Sequence, residues 1–456
     1  MPNPDSDVLL KLAFAFFAVD LFVTASRLLE IAALAWDIRV PYLGVTLHVV
    51  TLALALISGG ARRMVVSRLG VWLILFTGWM MVCTLTSTWR GGSVDTLMRE
   101  WLPSLIVFAS CGTVVTLQQC RKVAVILAAG TVVIAGASYA LGLLKEGRLA
   151  FASGTLGNSN DLSTLLVLGI PFLLVPVFSK GGSRVLKGIV LSLCGVALVV
   201  VIRSASRGSL LSLIVILLVL FWTRPFVGKV KLGVLMIVML AAFFAFTPRE
   251  ILSRYVTIFG DAERSDDIAT SAESSSIARR QLLEQSLKLT MEHPLFGVGP
   301  GIFVVGEAQL AEAEGQKAMW HVSHNSYTQV SSETGIPGLL FYLAALWTTF
   351  RNVLWYRAHS RSDPKGWVSA MGLALLLSLV GLCVSLTFAS MAYLSYLPIL
   401  MGLSLVFRKS LQLELDRRSP VLTAPAPPST VAVEPVGASS EKIVYRFLGR
   451  RPRQGA

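Results

Sequence analysis

The stretch HNSYTQVSSETGIPGLL, residues 324–340, passes from polar to apolar character with no linker between the two. A loop that water can reach therefore opens directly into a membrane span. Histidine titrates near neutrality and can serve as a general base. His324 stands at the mouth of the hydrophobic helix, where loop meets lipid. A base is needed at such a place when one reactant is lipid-anchored and the other carries a hydroxyl. Nine residues separate Asn325 from Gly335, and two more separate Gly335 from Gly338.

Working outward, the composition independently places the chain in a membrane. Hydrophobic residues make up 54% and charged residues 14%, with a mean hydropathy of +0.69. Apolar runs of roughly 20 residues, the length that crosses a bilayer core, recur near 8–35, 40–58, 70–88, 101–117, 123–144, 162–178, 188–202, 208–222, 232–247, 335–350, 367–386 and 390–407. The expectation is an all-α integral membrane protein of about 12 transmembrane helices with a large, partly helical extracytoplasmic loop. Its parts would be an N-terminal bundle of about nine spans (1–247), the loop (248–334), C-terminal spans (335–409) and a disordered cytoplasmic tail (410–456). The Pro-rich TAPAPPSTVAVEPVG stretch motivates that last assignment. The opening MPNPDSD is acidic and no cleavage site follows the first apolar run, so the first span is expected to stay as an anchor. Five cysteines are scattered through spans with no metal-type pairing, which suits packing.

The net charge of +14 does not point to nucleic acid, because the cations concentrate in alternate short loops. One set of loops and span ends holds Arg62, Arg63, Arg68, Arg121, Lys122, Lys180, Arg184, Lys187, Arg224, Lys229, Lys231, Arg351, Arg357, Arg361 and Lys365, with Asp363 alone against them. The positive-inside rule assigns that set to the cytoplasm. Arg203 and Arg207 then fall on the outer side, in a short hairpin. They either snorkel to outer headgroups or clamp an anion, since a guanidinium presents a planar donor fork that matches phosphate.

Arg279 and Arg280 follow Ser274–Ser276, which offer N-cap hydroxyls to a helix over 277–291 with an apolar face of Leu283, Leu287 and Met291. Arginines in a first turn would share a bound anion with free amides. Arg280 also has Glu284 at i+4 as an ordinary partner. His321 lies three residues before His324, a spacing that can share a metal, yet no Asp, Glu or Cys completes a set; Glu333 either sets a histidine tautomer from below or is solvated. Asn158 and Asn160 cap the outer end of another span.

Four elements in this order resemble the O-antigen ligase and Wzy-type polymerase superfamily. They are the GNSN turn (157–160), the SRG hairpin (206–208), Arg279 with HPLFGVGPGIF (293–303), and the HN-x9-G-x2-G motif (324–338). The resemblance covers about 150–350. It implies a GT-C-like fold in the bacterial inner membrane and a cofactor-free, metal-independent, inverting glycosyl transfer on the periplasmic side. The implied donor is an undecaprenyl-pyrophosphate-linked glycan and the acceptor a glycan or lipid, with a chain-length regulator or flippase as companions. Carried onto this chain, Arg207 and Arg279 hold the pyrophosphate and His324 activates the acceptor hydroxyl. Arg203, Arg280, Asn158, Asn160, His321 and Asn325 line the substrate. Ligases usually carry threonine after the second glycine; this chain has Leu339, which leans the reading toward a polymerase. A transporter or flippase for an anionic or lipid-linked solute is the alternative.

Overall fold

The computed structural model describes residues 8–418 apart from 39, 41, 146, 248–250, 253–266, 361–362 and 364–365. The expected tail beyond 418 and part of the acidic stretch that begins at Gly260 lie outside the described residues. The helices, in chain order, are α1 (Val8–Ser26), α2 (Leu28–Trp36), α3 (Leu43–Ile57), α4 (Gly60–Val65), α5 (Arg68–Thr86), α6 (Arg90–Thr96), α7 (Leu102–Ser110), α8 (Leu117–Leu141), α9 (Ser159–Leu173), α10 (Val175–Phe178), α11 (Arg184–Arg203), α12 (Arg207–Trp222) and α13 (Phe226–Phe246). After these come α14 (Asp267–Glu292), α15 (Phe303–Ala313), α16 (Ser326–His359), α17 (Trp367–Leu386) and α18 (Tyr396–Arg418). One antiparallel hairpin, β1 (Leu143–Lys145) with β2 (Arg148–Ala150), departs from the expected all-α content.

This is a multi-pass helical membrane protein. Among the described residues six helices are long and apolar enough to cross a bilayer: α1, α5, α8, α9 with α10, α11 and α17; α3 and α12 are apolar but shorter. A helix overlaps each of the apolar runs read from the sequence. The first run is broken, because Arg27 takes a left-handed conformation (φ 52°) that ends α1. Helices apolar on every side belong at the centre of a bundle, and α9 and α17 do: nearly every α9 residue is buried, they pack together, and Ser378 donates to the Leu168 carbonyl at 2.7 Å.

The 248–334 segment has its own apolar centre, in which Leu282, Leu289, Val298, Phe303 and Leu310 pack together with Met319 against them. α14 lies along the first part of α16, where the Thr290 and Ser331 hydroxyls bond at 2.8 Å. Two expectations for α14 are corrected. It begins at Asp267, so Ser274–Ser276 sit within the helix rather than capping it. Its buried face carries Leu282, Ser286, Leu289 and Thr290, while Leu283, Leu287 and Met291 are exposed. Two stripes of similar period run along this helix, and the small hydroxyl residues that allow close approach to α16 decide which one faces inward.

Chain contacts separate residues 1–414 as one compact unit from 415–456; of the latter only the end of α18 is described.

Candidate functional site

Arg148 organises one end of the helix bundle. The β1–β2 hairpin closes α8 and presents this side chain, whose Nη2 donates to Asn160 Oδ1 (2.9 Å) and whose Nε donates to the Ser204 carbonyl (3.1 Å). Ser206 Oγ donates to the same Asn160 oxygen at 3.0 Å. One guanidinium thus ties the GNSN turn to the SRG hairpin, and each bond to a charged donor is worth about 1.5–3 kcal/mol. From the other side, Glu30 accepts the Leu156 amide at 2.7 Å, and Gly154, at φ 76°, leaves room for that carboxylate. Asn158 caps α9 by accepting the Asn160 amide at 2.9 Å. Its carbonyl oxygen therefore serves the backbone, whereas Asn160 serves Arg148 and Ser206.

In the SRG hairpin, Arg203 ends α11 exposed and Arg207 opens α12 half-buried behind the Ser206 N-cap. Ala205 between them is held at φ 48°. Of the five non-glycine residues with positive φ among the described residues, Ala205, Trp320 and His324 belong to the two turns that carry the candidate groups. Such conformations cost about 1–3 kcal/mol and gather at functional sites.

α14 separates its two arginines by helical phase. Arg280 lies on the exposed face, its Nε paired with Glu284 at 3.2 Å. Arg279 is half-buried and close enough to His324 to influence its proton. With α14 extended back to Asp267, neither arginine lies in the first turn, and the expected help from free N-terminal amides falls away.

The HPLFGVGPGIF turn is scaffold. α16 is interrupted at Gly335 (φ 69°, ψ −177°), and the turn fills the gap. Val298 and Gly299 amides donate to the Ser332 and Glu333 carbonyls at 2.9 and 3.0 Å, and the Ile336 amide donates to Pro294 at 2.8 Å. The Thr334 carbonyl, next to the break, accepts the Trp79 indole N–H at 2.8 Å. Glu333 faces no histidine, which corrects the tautomer-setting expectation. It is buried and accepts from the Gly301 and Phe303 amides (2.8 and 3.2 Å) and the Tyr393 hydroxyl (2.6 Å). His293 contributes its carbonyl to the Gly297 amide at 3.0 Å.

Asn325 caps α16 by accepting the Tyr327 and Thr328 amides at 3.0 and 3.2 Å. His321 is exposed, with Nδ1 against the Met319 carbonyl. His324 sits just before the cap, half-buried, at φ 53°. Its pKa is lowered to about 4 by burial first, then by Arg279, His321 and Arg148. The groups acting on it are thus basic, and no carboxylate is among them. A neutral imidazole among guanidiniums is an anion site with a proton acceptor built in. Among the described residues, no group of three or more His, Cys, Asp or Glu is arranged to hold a metal ion.

Sequence reasoning passed over Arg148, although as a cation in a loop outside the Lys- and Arg-rich set it carried the same signal as Arg203 and Arg207. It also passed over the 383–391 segment, which packs against both turns and left no motif to find.

The fold and the site together define a helical membrane protein in which His324 lies within electrostatic reach of Arg279 and Arg148. Residues 190–343 match the O-antigen ligase family model (Wzy_C), so that stretch of the chain is similar to this family. The match takes in the SRG hairpin, Arg279, the glycine turn and His324, and leaves Arg148 and the GNSN turn outside it. A comparison with curated proteins gives no significant match.

Proposed function

We propose that this protein transfers or polymerises a glycan from an undecaprenyl-pyrophosphate carrier, as an inverting, metal-independent glycosyltransferase on the periplasmic face of the bacterial inner membrane. The observation that carries the reading is the convergence on His324 of Arg148 and Arg279, residues far apart in sequence. Arg207 and Arg279 hold the pyrophosphate, with Arg148 beside them, where negative charge grows as the glycosidic bond breaks. The acceptor hydroxyl oxygen attacks the anomeric carbon, the carbon–oxygen bond to phosphate breaks, and the pyrophosphate leaves with the electron pair. The hydroxyl proton goes to the His324 imidazole. At neutral pH that imidazole is unprotonated and able to accept. An anion bound to the arginines offsets their field and raises imidazole basicity, so the base strengthens when the donor is in place. Arg203, Arg280, His321 and the two asparagine caps are left with orienting roles at most. Leu339 in place of the ligase threonine favours a polymerase within this class. The four-part division of the chain read from the sequence suits this mechanism, with 248–334 as the catalytic loop.

The test is reconstitution with purified lipid-linked oligosaccharide. His324→Ala should lose transfer yet still bind the donor, and wild type should keep its activity in EDTA. Product at the wild-type rate from the mutant removes the base, and loss in EDTA restored by a divalent ion revives a metal. The alternative, a flippase, draws on the Asp20–His48 contact (2.7 Å) between α1 and α3, because ionisable groups in spans mark transport paths. Lipid-linked glycan crossing proteoliposomes without an acceptor would favour it.

A further inference from the structure

Four hydrogen bonds join the segment between α17 and α18 to the histidine turn, and a fifth runs to Cys383 near the end of α17. Ser390 Oγ accepts the His324 amide at 2.8 Å and bonds to Ser323 Oγ at 3.1 Å. Ser326 Oγ donates to the Ala389 carbonyl at 2.6 Å. The Met391 amide donates back to Ser326 Oγ at 2.9 Å, and the Tyr327 hydroxyl to the Cys383 carbonyl at 3.0 Å.

The same segment reaches the arginine hairpin. Phe388 packs so closely on Gly208 that a Cβ there would come within 2.7 Å of the Phe388 Cβ, and Ser385 and Ser212 hydroxyls bond at 3.0 Å. His324 is held in a left-handed conformation that a side-chain-bearing residue adopts only when its surroundings fix it. Its amide has the Ser390 hydroxyl as that fixing partner.

We infer that residues 385–391, outside the matched family domain, form a positioning clamp for the site: Ser390 locks the His324 backbone, and Phe388 sets the distance of that turn from Arg207. Ser390 acts through His324 and is a positioning residue. The inference rests on the proposed role of His324, so one readout must not depend on it. In the full-length protein in nanodiscs, acylation of His324 by diethyl pyrocarbonate, resolved by mass spectrometry, reports how freely the imidazole leaves its half-buried place.

Loss of one hydrogen bond of about 1–1.5 kcal/mol predicts an increase of about tenfold in that rate for Ser390→Ala. Ser390→Thr, which keeps the hydroxyl, should restore it to within about twofold. In transfer assays Ser390→Ala should lower kcat by about tenfold and leave the donor KM unchanged, since the arginines stay in place. An unchanged His324 acylation rate in Ser390→Ala overturns the clamp, and a raised rate with unchanged kcat overturns its part in the reaction. Full activity in His324→Ala would instead fault the base, with the acylation result still judging the clamp.

Discussion

Gly335→Ala probes the junction on which the site is mounted. At φ 69° and ψ −177° Gly335 occupies a backbone region open in practice to glycine alone. Forcing alanine into it costs about 1–3 kcal/mol. The new Cβ would also come within 2.7 Å of the Pro294 carbonyl oxygen, and nearer still to that of Leu295. Overpacking of this kind typically adds about 1–3 kcal/mol. Relief requires the 293–301 turn to retreat, which weakens the Ile336–Pro294 hydrogen bond (2.8 Å), worth about 0.5–1.5 kcal/mol. The total is about 2.5–7.5 kcal/mol, from somewhat under a hundredfold to on the order of a hundred thousandfold in the folded-to-unfolded ratio. For a chain of this length that corresponds to a fall in Tm of roughly 3–8 °C. Scanning fluorimetry in detergent reads it, with Gly136→Ala as control, because a Cβ at 136 meets open space. Equal melting of the two variants would refute the account of the break.

Arg148→Lys and Arg148→Ala should each lower transfer by about a hundredfold or more. A lysine lacks the two separated nitrogens with which Arg148 serves Asn160 and the Ser204 carbonyl, and each such bond is worth about 1.5–3 kcal/mol; steady-state kinetics within threefold of wild type would make Arg148 dispensable. With His324 held at about 4, kcat/KM for the donor should stay level from pH 8 to 5 and fall only near the acid end, and Arg279→Gln should move that fall upward toward 6.5. The linked stability runs the same way: the unfolded chain takes up the proton near 6.5 and the folded one near 4, so His324's contribution is complete above 6.5 and lost as pH drops through that window. Cysteine labelling at Ser275 and Ser183 in a cysteine-free background should report opposite sides of the membrane, and labelling from one side would undo the orientation drawn from the Lys and Arg asymmetry.

The long apolar runs made the spanning helices legible, because a chain in lipid satisfies its own backbone and has few other choices. The break at Arg27 was not legible, since nothing in Ser26-Arg27-Leu28 demands a left-handed residue until Tyr396 offers its hydroxyl and ring. Arg279 could be separated from Arg280 by the Glu284 spacing, and the exposed Arg280–Glu284 pair bears that out. The buried stripe of α14 was misread because leucines alone suggested it, whereas Ser286 and Thr290 are what fit against α16. Ser390 illustrates the limit of motif reading: a hydroxyl that meets a backbone amide 66 positions away leaves no local pattern.

The interruption of α16 also bears on how the protein measures height above the bilayer. A continuous rod from lipid to His324 would carry every change of tilt or bilayer thickness straight to the imidazole. Here the 326–334 portion hangs from the 293–301 turn, and the portion below Gly335 sets off from that point as a separate helical segment. Spans adjust to thicker or thinner membranes mainly by tilting. The level of the histidine is therefore set by the 293–301 turn together with the segment between α17 and α18, and not by the lower part of α16 alone.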